Sequence, residues 1–113
     1  MHEGTCVRIG ASRAQYTYYI FAIPANFNAN QNGNYIYTKI VTNAWQPIYI
    51  GEGDLREREQ NHHKASCIAL RGATHIHAHL NAKKADRTSE ESDLLGRYTQ
   101  AYAPTGCNER IGG

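Results

Sequence analysis

The sequence lacks any run of about 18 apolar residues, the length that a membrane-spanning helix needs. Cysteine is scarce, and Cys6, Cys67 and Cys107 lie far apart with no Cys-x-x-Cys pair. This spacing argues against a disulfide framework and a cysteine-based zinc site, and it favours a reducing, cytoplasmic location. The first ten residues, MHEGTCVRIG, lack the charged-then-apolar order of a secretory signal. We therefore expect no membrane association.

Neither sign of charge dominates the chain. Its 12 Lys and Arg and 10 Asp and Glu give a formal net charge of +2 at pH 7. This mildly basic balance permits a polyanionic partner without requiring one. With 41% hydrophobic and 19% charged residues among 113, the composition predicts one globular domain rather than a disordered chain.

Aromatic and β-branched runs predict the strands of a small sheet. Such runs occupy residues 16–23, 35–41 and 74–80. Residues 47–50 form a further short strand, and their short connection to 35–41 predicts an antiparallel hairpin with its turn at 42–46. Asparagine recurs through residues 26–34, which predicts a surface loop.

Two helices are predicted beside these strands. Asp54 is a candidate N-cap for a helix that runs to about residue 70, and Gly72 suits a left-handed C-terminal cap. A final helix is predicted from Thr88 or Ser89 to about Ala103, with a proline directly after it.

This order of elements predicts an α+β fold, an α/β sandwich. Its small, mainly antiparallel, three-stranded central sheet is flanked by helices and carries an extra N-terminal strand. Residues 1–30 are interpreted as an N-terminal extension with an edge strand and the asparagine-rich loop. Residues 31–113 are interpreted as the main domain.

A basic group and an imidazole share one face of the predicted first helix. Arg58 and His62 are four residues apart, and Leu55 lies three residues before Arg58. A face used only for burial would not normally carry arginine, so the pair is a candidate functional site. The alternative is an amphipathic helix with a surface arginine at its edge.

An acidic residue begins the apolar stripe of the predicted last helix. Glu91 has helical spacing with the residues that continue the stripe, which are Leu94, Leu95, Tyr98 and Tyr102. The alternative is that Thr88-x-x-Glu91 is a capping box, which needs no catalysis. The neighbouring Glu90 and Asp93 are interpreted as solvated charges that favour the helix dipole.

Three histidines alternate along the predicted strand 74–80. His75, His77 and His79 should therefore point to one face, where imidazoles suggest zinc or copper. Tetrahedral sites usually recruit ligands from more than one element. The alternative is a polar sheet surface that faces solvent or phosphate.

A series of short motifs runs in order from Gly33 to Asn108. It consists of Gly33-Asn34-Tyr35, Tyr49-Ile50-Gly51, Arg58, His62, Glu91 and Asn108. This ordered set resembles the GIY-YIG nuclease superfamily over about residues 33–109. The Tyr-Ile-Gly match is literal, and asparagine replaces isoleucine in the first motif. Asp54 to Arg58 resembles the family's Asp-apolar-x-x-Arg helix start, and Pro104 to Asn108 resembles its terminal Pro-x-x-x-Asn.

Two tyrosines are candidates for the first motif. Tyr35 follows Gly33, but 13 residues separate it from Tyr49, which is more than the family usually has. Tyr37 gives the usual spacing and lacks the preceding glycine. Both should lie on one face of the strand, so both can line the site. We take Tyr35 as the first-motif tyrosine and Tyr37 as the alternative.

The resemblance implies a metal-dependent endonuclease that hydrolyses DNA phosphodiester bonds. Glu91 would hold one divalent cation, Mg²⁺ or Mn²⁺, and Arg58 would pair with the scissile phosphate. Tyr49 would act as base or proton relay near the attacking water, and Tyr35 would hydrogen-bond the water or the phosphate. His62 would assist proton transfer, since an unperturbed imidazole titrates near neutral pH.

Other residues would support this site. The resemblance gives such roles to Gly33, Tyr37, Gly51 and Asn108. The implied partner is DNA, including branched, nicked or damaged forms, and the oligomeric state stays open. The alternatives are a catalytically silent nucleic-acid-binding module of the same fold and a histidine-rich metal-binding protein.

Overall fold

The structure, a computed structural model, describes residues 2–110. Five strands form one antiparallel sheet in the spatial order β1-β2-β5-β3-β4. The strands are β1 (Thr5–Ile9), β2 (Gln15–Ala22), β3 (Asn32–Val41), β4 (Ala44–Asp54) and β5 (His75–Leu80). The helices are α1 (Leu55–Gln60), α2 (Ala65–Leu70) and α3 (Lys84–Arg97), followed by a 3₁₀ turn (Thr99–Ala101). Within residues 2–110, no helix has the length and apolarity to cross a membrane.

The predicted α+β class is confirmed, and the predicted number of strands is wrong. The expected three-stranded unit is present as β4, β3 and β5. The N-terminal residues contribute two strands, β1 and β2, and β2 pairs with β5 in the same sheet. The outer ends of the two predicted segments, residue 1 and residues 111–113, lie outside the described residues.

Strands β3 and β4 form the predicted antiparallel hairpin. Thr42 and Asn43 both have positive φ, +51° and +63°, as a tight two-residue hairpin turn requires. Strand β4 therefore begins at Ala44, and the turn is shorter than the predicted 42–46. The asparagine-rich loop is also shorter than predicted, because β3 begins at Asn32.

The predicted first helix is two short helices. Asp54 is the N-cap of α1, as expected, and its carboxylate accepts the Glu57 N–H at 3.0 Å. The helix ends at Gln60, and His62 lies in the link before α2 begins at Ala65. Gly72 has φ +84°, as its predicted left-handed conformation requires.

The last helix begins earlier than predicted. Helix α3 starts at Lys84, so Thr88 lies inside it and its hydroxyl donates to the Lys84 and Ala85 carbonyls. The capping-box interpretation of Thr88 and Glu91 is therefore wrong, and Glu91 is not used as a cap. The interpretation of Glu90 as a solvated charge is also wrong, because its side chain is buried.

The sheet has a core on each face because side chains alternate along its strands. One face carries Tyr35, Tyr37 and Ile76 and packs against α1 and α2 through Leu55 and Ile68. The opposite face packs against α3 and the 3₁₀ turn; its buried residues are Tyr18, Ile36, Ile50, Leu94 and Ala101. The first face is called the tyrosine face below.

The histidines of β5 do not form a solvated surface. His77 is fully buried, with its Nδ1 3.4 Å from an Arg8 guanidinium nitrogen. Burial and then Arg8 lower the pKa of His77 to about 3. His75 lies 3.2 Å from Glu3 and His79 lies 2.6 Å from Glu90. The three side chains thus have separate partners.

The prediction that cysteines form no disulfide framework is wrong for one pair. Cys67 in α2 and Cys107 near the C-terminus form a disulfide, and Cys6 is free. Disulfides persist mainly in oxidising environments. The cysteine content therefore no longer supports the expected cytoplasmic location.

Candidate active site

Two tyrosines and a glycine meet on the tyrosine face where β3 pairs with β4. In the hairpin register Tyr35 lies opposite Gly51, and Tyr37 lies opposite Tyr49. The rings of Tyr35 and Tyr49 stack with centroids 6.1 Å apart. A Cβ atom at Gly51 would lie 2.5 Å from the Tyr35 hydroxyl oxygen. Glycine is therefore needed at position 51 to make room for that phenol.

His62 and Tyr35 form a hydrogen-bonded pair. The Nε2 atom of His62 lies 2.8 Å from the Tyr35 hydroxyl oxygen, and its Nδ1 accepts the Lys64 N–H at 2.9 Å. Burial, followed by the charges of nearby basic groups, lowers the pKa of His62 to about 4. The ring is therefore neutral at pH 7, with its proton on Nε2, and it donates to Tyr35.

This protonation state corrects one expectation. His62 was expected to titrate near neutral pH and to assist proton transfer, and its lowered pKa rules out a standing imidazolium at pH 7. The hydrogen bond instead fixes the Tyr35 oxygen as an acceptor. The hydroxyl proton of Tyr35 is then free for another acceptor.

Arg58 lies over Gly53. A Cβ atom at Gly53 would approach the Arg58 Nε to 2.6 Å, and the glycine has φ +141°, which side chains rarely adopt. Arg58 is half-buried and forms no salt bridge within residues 2–110. Its guanidinium therefore lies close to the Gly53 backbone, and its charge has no acidic partner among the described residues.

Glu91 is also left without a salt bridge among the described residues. It is half-buried, and burial, followed by the charge of Glu52, raises its pKa, while Lys84 and Arg58 act in the opposite direction. Glu52 itself is paired with Lys84 at 2.6 Å and with Arg87 at 2.9 Å. Glu91 is thus an acid whose charge the fold does not neutralise.

The acids on either side of Glu91 have structural partners. Glu90 accepts the Tyr18 hydroxyl at 2.5 Å and contacts His79. Asp93 accepts the Tyr16 hydroxyl at 2.7 Å and also binds the β1–β2 turn through Ser12. The sequence interpretation of Glu90 and Asp93 as solvated charges that favour the helix dipole is therefore wrong. Both carboxylates are engaged by the protein, whereas Glu91 is not, among the residues that the structure describes.

The charges of Arg58 and Glu91 act on both Tyr35 and Tyr49. Burial is the largest cause of the raised pKa of Tyr49; the charge of Glu91 raises it further, and Arg58 lowers it. The same two charges act on Tyr35, whose pKa is raised well above its usual value, mainly by burial. Both phenols are therefore protonated at neutral pH, within the fields of Arg58 and Glu91.

The two candidate first-motif tyrosines differ in their partners. Tyr37 donates its hydroxyl to Glu59 at 2.6 Å, and Glu59 also accepts the Ala25 N–H at 2.9 Å. Tyr35 instead contacts His62. The Tyr37 hydroxyl is therefore engaged by a carboxylate, whereas the buried Tyr35 hydroxyl has the His62 ring as its partner. Glu59 belongs to no motif from which sequence reasoning could have identified it.

The remaining supporting residues hold the strands in place. Gly33 belongs to β3, where a Cβ would lie 2.1 Å from the His79 carbonyl oxygen on β5. Asn108 is buried, and its amide accepts the Ile50 N–H and donates to the Ile50 carbonyl, both at 2.9 Å. Asn108 thus fixes β4 one residue before Gly51.

Replacing Asn108 by alanine should lower the free energy of unfolding by about 2 to 4 kcal/mol, because two buried backbone groups of Ile50 lose their partners. Urea unfolding followed by circular dichroism would measure the change. The exposed Asn32 provides the control, and its alanine variant should stay close to wild type. Equal stability of both variants would contradict the bracing role.

Glu91 is the carboxylate that the site offers to a metal ion. Residues 2–110 contain no cluster of three or more His, Cys, Asp or Glu side chains suited to a metal. Mg²⁺ commonly binds through one or two carboxylates and takes its other ligands from water and phosphate. The half-buried Glu91 has no basic partner within residues 2–110 and fits that mode. At the β5 histidines, by contrast, Arg8 lies beside His77 and disfavours a cation.

No family model, curated protein or solved structure matches this chain. Its function is therefore inferred from the residues and geometry of the site.

Proposed function

We propose that this chain is a metal-dependent endonuclease that hydrolyses DNA phosphodiester bonds through a GIY-YIG-type site. The observation that carries the proposal is the pairing pattern around the tyrosine face. Within residues 2–110, Arg58 and Glu91 have no salt-bridge partner and their charges act on Tyr35 and Tyr49, while the neighbouring Glu52 is paired with Lys84 and Arg87. Such a combination of guanidinium, carboxylate and phenols suits phosphate chemistry.

Each residue has a role in the proposed reaction. Arg58 binds the scissile phosphate through its planar donor fork and stabilises the charge that develops there. The Tyr35 hydroxyl, oriented by His62, donates a hydrogen bond to the phosphate or the attacking water. Tyr49, protonated at rest, relays a proton at its hydroxyl oxygen. The expected products carry a 5′-phosphate and a 3′-hydroxyl.

Glu91 is the residue that would hold the divalent cation, Mg²⁺ or Mn²⁺. When bound, such an ion supplies Lewis-acid stabilisation of the phosphate and the leaving oxygen. Burial and the negative charge of Glu52 raise the pKa of Glu91 because both disfavour its ionised form. A cation bound to the carboxylate would stabilise that ionised form. Asn108, Gly51 and Gly53 keep the backbone and side chains around this site in position.

DNA is the proposed partner, and a cytoplasmic location stays a prediction. The proposed substrates include DNA with branches, nicks or damaged ends.

Replacing Glu91 by glutamine should reduce Mg²⁺-dependent nicking of plasmid DNA about 100-fold or more, since the amide cannot supply the anionic ligand. The exposed Glu57 on α1 provides the matched control, and Glu57→Gln should cut at the wild-type rate. Purified proteins would be compared for initial nicking rate with Mg²⁺, Mn²⁺ and EDTA.

Three outcomes separate the candidate functions. Equal nicking by wild type and Glu91→Gln would assign the cutting to a contaminant. Salt-dependent DNA binding without cleavage in either metal would favour a catalytically silent binding module. Stoichiometric zinc that is lost when His75, His77 and His79 are replaced by alanine would favour a metal-binding protein.

A further inference from the structure

A cavity of about 400 Å³ opens on the tyrosine face beside the candidate active site. Its lining includes Tyr19, Phe21, Phe27, Gln31, Leu55 and Leu80. It is concave and largely apolar, and three of its walls are aromatic rings. We call it the aromatic cavity.

The register of the sheet places the aromatic cavity next to the site. Tyr19 on β2 lies opposite Ala78 on β5, and Ala78 lies opposite Tyr35 on β3. Residues in one such row share a face, and strands are about 4.8 Å apart, so Tyr19 and Tyr35 are separated by about 10 Å. Leu55, which lines the cavity, is the first residue of the helix that carries Arg58 one turn later.

The chemistry of the cavity suits a nucleobase. Tyr19 is 44% exposed, and the ring of His2, which also lines the cavity, lies beside it with centroids 4.8 Å apart. Phe21 and Phe27 pack edge to face at 5.2 Å and stiffen the opposite wall. Among residues 2–110, no Lys, Arg, Asp or Glu lines the cavity; its two imidazoles are those of His2 and His79, and His79 already contacts Glu90. Exposed rings that stack on successive bases are typical of single-strand binding, and closed apolar pockets receive flipped bases.

We propose that the aromatic cavity receives an unpaired nucleobase of the DNA strand whose phosphate lies at Arg58. The proposal rests on the proposed function and specifies its substrate class. A base in stacked duplex DNA is not available to the cavity, so strands with a flap, a branch or a displaced base near the cut are preferred. Tyr19 is the ring on which the base stacks.

The test measures binding rather than cutting. A fluorescent adenine oligonucleotide of about eight nucleotides and an abasic strand of the same length and charge are titrated in EDTA and followed by anisotropy. Wild type should prefer the adenine strand. Tyr19→Ala should bind that strand about 5- to 100-fold more weakly, with little change for the abasic strand. Tyr19→Phe and the distant exposed Ile40→Ala should retain the wild-type preference.

The proposal is overturned if Tyr19→Ala and wild type discriminate equally between the two strands. It is also overturned if light scattering shows a wild-type dimer that Tyr19→Ala converts to a monomer, because the cavity would then bind a second copy. Since EDTA prevents metal-dependent turnover, a catalytically silent protein can still pass this test. Conversely, metal-dependent cleavage together with no preference for the adenine strand would refute the proposed base binding in the aromatic cavity. The proposal that the chain is a nuclease would be unaffected.

Discussion

Arg58→Ala should cut DNA about 10²- to 10³-fold more slowly than wild type, a loss of about 2.7 to 4 kcal/mol of transition-state stabilisation. The guanidinium has no acidic partner within residues 2–110, so its removal leaves no orphaned structural charge. The loss should therefore fall on the reaction rather than on the fold. Initial rates of plasmid nicking in Mg²⁺ would measure it, and thermal unfolding would verify that the variant is folded.

Arg56 provides a matched control for this experiment. It lies on the same short helix but is exposed, whereas Arg58 packs over Gly53. Arg56→Ala should cut at close to the wild-type rate. Arg58→Lys keeps the charge but loses the planar fork, so its rate should lie between those of wild type and Arg58→Ala. Equal losses from the two alanine variants would indicate general phosphate attraction rather than a specific contact.

Local sequence signals predicted the parts of this fold that short segments determine. The β3–β4 hairpin followed from two β-rich runs with a short connection, and the start of α1 followed from the Asp54 cap. The missed elements have no such signals. Helix α3 begins after Lys83 with no side-chain cap, and β1 is a five-residue edge strand of mixed exposure. The break after Gln60 contains neither proline nor glycine, so periodicity alone did not reveal it.

The candidate site was found because most of its residues belong to ordered motifs, but its chemistry depends on tertiary packing. Arg58 and His62 were expected to share a helix, whereas the chain breaks between them and His62 reaches Tyr35 from a link. Sequence reasoning also missed Gly53, although a glycine next to the helix start was the available signal. The lowered pKa of His62 depends on burial, which no local pattern contains.

The buried histidines also predict a marked loss of stability in weak acid. The pKa values of His62 and His77 are lowered from 6.5 to about 4 and about 3. The unfolded chain therefore takes up protons below about pH 6.5 while the folded chain does not, so stability is fully present above that pH and declines as pH falls. From about pH 7.5 to pH 5 each histidine should contribute a loss of up to about 2 kcal/mol, or about 4 kcal/mol together.

Urea unfolding at a series of pH values between about 7.5 and 5 would measure this loss. His62→Gln should remove about half of the pH dependence, whatever its effect on stability at neutral pH, because one of the two proton-linked groups is gone. The control His63→Gln, at the exposed neighbouring position, should keep most of the pH dependence of stability. A His62→Gln variant with the full wild-type pH dependence would contradict the neutral, buried imidazole from which we derive the orientation of Tyr35. The Tyr35 hydroxyl would then have to be oriented by some other contact, and its proposed role at the phosphate would lose its structural basis.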